Sequence, residues 1–117
     1  MKKTLFVILG LSMSLAFTTV SAKTINHISL ALWSPLGTSD AAVNVTDFLN
    51  EKCLGKETCD VQATNEFFLP VTQRDISPGH AKVLSFIYTC SNQDFPWVII
   101  RAEGSSYKLD CSATPKH

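Results

Sequence analysis

Ala81-Lys82-Val83-Leu84-Ser85-Phe86-Ile87-Tyr88-Thr89-Cys90 is the stretch that decides the fold. Leu84, Phe86, Tyr88 and Cys90 share one side of a two-residue period, and Val83, Ser85 and Ile87 share the other. β-Branched and aromatic residues dominate it, as a pleated surface prefers. Apolar residues on both sides predict a strand inside a sheet rather than at its edge.

The flanking segments supply neighbours for this strand. Residues 26–33 alternate, with Ile28, Leu30 and Leu32 on one face and His27, Ser29 and Ala31 on the other, which predicts a half-buried strand. Ser34-Pro35-Leu36-Gly37 supplies turn residues to end it. In residues 45–53 the apolar positions Val45, Phe48, Leu49 and Cys53 fall at helical spacing. Asp47 and Glu51 precede Lys52 and Lys56, an order that suits the helix dipole. Asn44 is available as a cap and Gly55 as a stop. Residues 60–64 read as a short strand. Residues 65–80, with Pro70, Pro78 and Gly79, read as a long loop, a length that in compact domains often marks function. Residues 96–102 and 106–111 read as a hairpin about Glu103-Gly104-Ser105, and residues 112–117 as a frayed tail. The expected fold is α+β: a small antiparallel β-sheet domain with one short helix, which presents Phe48 and Leu49 to the sheet face carrying Leu84 and Phe86.

The chain opens with a basic pair, Lys2 and Lys3, then a mostly apolar stretch over residues 5–17, then Val20-Ser21-Ala22. That order is the signature of a secretory signal peptide, with cleavage expected after Ala22. The apolar stretch is interrupted by Gly10, Ser12 and Ser14 and falls short of the about 20 residues needed to cross a bilayer. The expected product, residues 23–117, is one domain with no membrane span, periplasmic or secreted. Losing Lys2 and Lys3 leaves eight basic residues against ten acidic ones. That balance offers no basic patch to displace counterions, so nucleic acid is not an expected partner.

Cys53, Cys59, Cys90 and Cys111 all lie beyond the leader. An even count in a short exported chain reads as a disulfide framework, with three possible connectivities. The first choice is Cys53–Cys59 with Cys90–Cys111, because each pair closes a local loop. A zinc site would want closer C-x2-C spacing, and no metal or other cofactor is expected.

Candidate chemistry is sparse. His27 falls on the less apolar face of a strand, and His117 is the last residue. His80, with Asp75 nearby, is the one histidine placed as a general base would be, although a solvated turn residue is the preferred reading. No nucleophile elbow, zincin motif or phosphate loop is present. Asn65-Glu66-Phe67-Phe68 is more suggestive. An aromatic ring beside amide and carboxylate groups suits a sugar or protein contact.

Cys53-Leu-Gly-Lys-Glu-Thr-Cys59, Asn65 six residues later, and Lys82-Val-Leu-Ser-Phe-Ile-Tyr88-Thr-Cys90 together resemble the second half of the galactose/rhamnose-binding lectin domain, the sea-urchin-egg-lectin type. The resemblance covers residues 43–91. It implies a compact disulfide-bonded α/β fold and a bond between Cys53 and Cys59. It also implies that Asn65 and Lys82 belong to a sugar site. The chain departs from the pattern elsewhere. Phe68-Leu69-Pro70-Val71 stands where that family has Gly-Asp-Pro-Cys, no Tyr-Gly-Arg occurs, and the stretch ending in Cys111 is additional.

The reading from sequence is therefore a lectin-like, non-enzymatic, exported binding module. Its expected ligand is a carbohydrate or a cell-surface or envelope protein, met through Asn65, Glu66, Phe67 and Lys82. The alternative is a periplasmic or secreted inhibitor that inserts a loop into a hydrolase.

Overall fold

The computed structural model describes residues 23–37 and 41–112. The expected leader, residues 1–22, and all but the first residue of the expected tail lie outside the described residues. Six strands and two helices follow one another in the described chain: β1 (Ile25–Pro35), β2 (Val43–Asn44), α1 (Thr46–Cys53), β3 (Thr58–Gln62), α2 (Asn65–Thr72), β4 (Lys82–Cys90), β5 (Trp97–Ala102) and β6 (Ser106–Asp110). A four-stranded antiparallel sheet has the order β2-β1-β4-β5, and β3 pairs with β6 in a second antiparallel sheet. The α+β class is as the sequence predicts.

The decisive strand is interior, between β1 and β5. Lys82, Leu84, Phe86, Tyr88 and Cys90 alternate inward without a break. Leu84, Phe86, Tyr88 and Cys90 join one core with Trp33, Leu49, Phe68 and Leu109. Each large apolar side chain buried there contributes about 1.5–3 kcal/mol relative to exposure.

β1 departs from simple alternation. Register shifts between Ile25 and His27 and between Ile28 and Leu30 insert extra residues against β4, and each such bulge changes which face the next residue occupies. Ile25, Ile28, Ala31 and Trp33 point inward, while Leu30 is exposed. The expected grouping of Ile28 with Leu30 and Leu32 is therefore broken. Where β1 bulges, α1 supplies the missing partners. The Ile28 N–H donates to Asn50 Oδ1 at 3.1 Å, and Asn50 Nδ2 donates to the Ile28 carbonyl at 2.9 Å. One turn earlier, Thr46 Oγ1 accepts from the Ala31 N–H at 2.9 Å. Side chains four apart on one helix face thus stand in for a neighbouring strand.

Two further expectations are corrected. Residues 65–72 of the expected long loop form α2, despite Pro70. Thr64 caps this helix by accepting from the Phe67 N–H, and Phe68 anchors it against Trp33 with ring centroids 5.2 Å apart. The expected hairpin also does not form. Glu103-Gly104-Ser105 does turn the chain, with Gly104 at φ 94°, but β5 pairs with β4 and β6 pairs with β3. The turn therefore carries the chain from one sheet to the other.

The disulfides are Cys53–Cys59 and Cys90–Cys111. The first ties α1 to β3, and the second ties β4 to the end of β6. Both staple the small sheet to the rest of the domain.

Candidate functional site

Strict alternation in β4 forces Lys82 to face inward beside Leu84, and it is only 2% exposed. An ammonium so placed needs charge and hydrogen-bond partners. Lys82 Nζ lies 2.7 Å from Asp75 Oδ1 and 3.9 Å from Glu103 Oε1, and it donates to the His80 carbonyl at 3.0 Å. The Lys82 N–H also donates to Glu103 Oε1 at 2.9 Å. The turn between β5 and β6 supplies Glu103, and the segment after α2 supplies Asp75.

Asn65, in the first turn of α2, joins the same group. Its Nδ2 donates to Asp75 Oδ2 at 3.3 Å and to Glu103 Oε2 at 3.2 Å. Two carboxylates require donors, so they fix which way the amide points. Asn65 Oδ1 then faces away from them, buried and without a hydrogen-bond partner among the described residues. A left-handed residue, Gln73 at φ 65°, ends α2 and turns the chain back toward the cluster. The Ser77 N–H donates to Asp75 Oδ1 at 2.9 Å and holds the returning loop.

One ammonium faces two carboxylates, so the group carries one net negative charge. The hydrogen bond from Lys82 holds the Asp75 carboxyl below the usual carboxylate range, and the Ser77 N–H adds to this. The side chains of Asp75 and Glu103 remain 35% and 30% exposed. They are hydrogen-bond acceptors fixed in place yet open to solvent. Chemically, the arrangement can receive hydroxyl or amide donors from a ligand.

Asn65 and Lys82 thus meet in one cluster, whereas Glu66 and Phe67 lie outside it. Glu66 is exposed on α2. Phe67 is half-buried, packed edge-on against Phe48 at 5.7 Å and against Phe68 at 5.1 Å, with the Lys52 ammonium 5.3 Å from its ring. Asp75 and Glu103 are the members missed in the sequence. An inward lysine at the head of a strand was the signal that two carboxylates must lie nearby. His80 is exposed, with Nδ1 3.1 Å from Ser77 Oγ, and its carbonyl rather than its ring serves the cluster.

A separate groove of about 470 Å³ runs between the helices, lined by Asn44, Asp47, Phe48, Glu51, Pro70 and Val71. Among the described residues, no group of three or more His, Cys, Asp or Glu side chains is arranged to hold a metal ion, and no helix is long and apolar enough to cross a membrane. No protein-family model, curated protein or solved structure matches this chain.

Proposed function

We propose that the chain is an exported, non-enzymatic binding module that takes a carbohydrate at the exposed rim of the Asn65–Asp75–Lys82–Glu103 cluster. The observation that carries this reading is the meeting of Asn65 and Lys82, through Asp75 and Glu103, in one hydrogen-bonded group. These are the two positions that match the sugar site of the lectin family the sequence resembles. Vicinal hydroxyls would donate to the open oxygens of Asp75 and Glu103. Lys82 is only 2% exposed, so its part is to hold both carboxylates in place rather than to touch the ligand. The leader over residues 1–22 and the two disulfides support export to an oxidising compartment.

The test is a glycan array, followed by calorimetry with galactose and rhamnose on the exported, oxidised chain. Asp75→Ala and Glu103→Ala should each weaken sugar binding at least tenfold with the far-ultraviolet spectrum unchanged. Neither sugar nor any arrayed glycan should be hydrolysed. If no glycan binds, or if both variants bind as well as the parent, the reading fails.

A further inference from the structure

The four-stranded sheet has a second face, and its composition is unusual. In an antiparallel sheet the side turned away from the core is normally polar. Here the cross-strand row Leu30–Ile87–Val98 is wholly apolar, and the next row is Leu32–Ser85–Ile100. Outward positions of β1, β4 and β5 across residues 30–34, 83–87 and 98–102 carry no charged side chain. Val98 is 66% exposed, Ile100 62% and Leu30 41%.

The surface has relief. Ser85, small between Leu32 and Ile100, sits in a hollow of about 120 Å³ lined by sheet residues alone. A cavity of about 150 Å³ accepts a benzene ring, so this hollow has room for one aliphatic side chain. Beside it stand the most exposed apolar side chains of the sheet, Val98 and Ile100. Knob and hole therefore lie side by side on one face, which is the requirement for an interface formed by two identical surfaces about a two-fold axis.

We infer that this face docks on the same face of a second copy of the chain, with Ile100 of each copy seated at Ser85 of the other. Size sets the strength. Strands about 4.8 Å apart with a rise of about 3.4 Å per residue make a face roughly 15 by 17 Å. Two such faces bury roughly 500 Å² in plan and, with side-chain relief, at most about 1,000 Å² in total, which is the weak, transient end of association. The dimer is consequently a dissociable one. The inference stands independently of the sugar reading, because the cluster around Lys82 lies on the inward side of β4.

Sedimentation velocity on the full chain, expressed with residues 1–22 and recovered after export, tests it. From about 1 µM to about 1 mM the weight-average mass should climb from one copy toward two. Ile100→Lys should weaken association at least tenfold, and so should Ser85→Leu, which fills the hollow. Mixing Ile100→Lys with Ile100→Glu should restore it, because the two-fold axis brings these positions close together. All of these side chains point away from the core, so circular dichroism should be unchanged. A mass of one copy at every concentration overturns the inference, even if the protein then binds lipid vesicles. Variants that associate as tightly as the parent overturn it as well.

Discussion

Asn65→Asp changes almost nothing but charge, and the Lys82 cluster makes its effect calculable. The substitution puts an oxygen where Nδ2 now donates to Asp75 at 3.3 Å and to Glu103 at 3.2 Å. Two hydrogen bonds to charged acceptors are lost, and two carboxylate contacts become repulsive. At such distances each repulsion is worth about 1 kcal/mol in bulk water and about 4 kcal/mol near a protein surface. The Lys82 ammonium and outward relaxation offset part of this, leaving an expected loss of about 2–4 kcal/mol at pH 7. For a domain of this size that lowers the melting temperature by roughly 10–25 °C. Asn65→Ala, which removes the bridge without adding charge, should cost only about 1–2 kcal/mol.

The pH dependence separates the two effects. Like-charged neighbours raise the folded-state pKa of the new carboxyl above its unfolded value near 4. Its penalty is therefore full at neutral pH and disappears as pH falls through that shifted range. Urea melts of the parent and both variants at pH 7, 5 and 4 measure this directly. Asn65→Asp should approach Asn65→Ala as the pH drops. A loss below about 0.5 kcal/mol at pH 7, or a gap between the variants that ignores pH, would refute the cluster as described.

Three further outcomes follow from other parts of the molecule. Asn50→Ala strips Ile28 of both backbone partners and should cost about 2–3 kcal/mol, while Asn50→Asp, which keeps only the acceptor, should cost about half of that, both read from urea midpoints. Replacing Cys90 and Cys111 with serine should destabilise by about 3 kcal/mol, against about 2 kcal/mol for Cys53 and Cys59, because the sequence separations are 21 and 6; a reversed order in thermal melts would contradict the loop-entropy account. Burial first, and the Tyr107 hydroxyl second, push the Tyr88 phenol well above its ordinary value of 10. The folded chain therefore holds it neutral, and stability should decline as pH rises past about 10, a slope that Tyr88→Phe should remove in alkaline melts.

β4 was fully legible because one period runs through all nine of its residues and no bulge interrupts it. α1 was legible because Leu49 and Cys53 repeat at helical spacing and both are buried. β1 was not, because a bulge leaves no mark in the sequence, and the one between Ile28 and Leu30 puts those two residues on opposite faces. α2 was hidden by Pro70, which withdraws one backbone donor from a short helix. Aromatic packing of Phe67 and Phe68 offsets that loss, and such packing depends on Trp33 and Phe48, which are distant in sequence. Turn chemistry at Glu103-Gly104-Ser105 reported a change of direction correctly, but it carries no information about which strand lies alongside. The same long-range pairing explains the candidate site. Asn65 and Lys82 were reached together only as what the lectin resemblance implied, whereas Glu103 reaches them only because β5 lies beside β4.

The arrangement of the two disulfides carries a consequence for when the domain can mature. β3 and β6 form a two-stranded ladder, which alone is at best marginal in water, and each of its strands is fastened to the rest of the chain by one bond. While the thiols stay reduced, the ladder and the Glu103 turn leading into it lack those fastenings. The Glu103 carboxylate stays beside Lys82 all the same, because the Glu103 N–H donates to the Lys82 carbonyl where β5 pairs with β4. A chain kept reduced would remain loosely assembled at β3 and β6. Oxidation would close the ladder in a late step, so the redox state of its surroundings decides when the second sheet is complete.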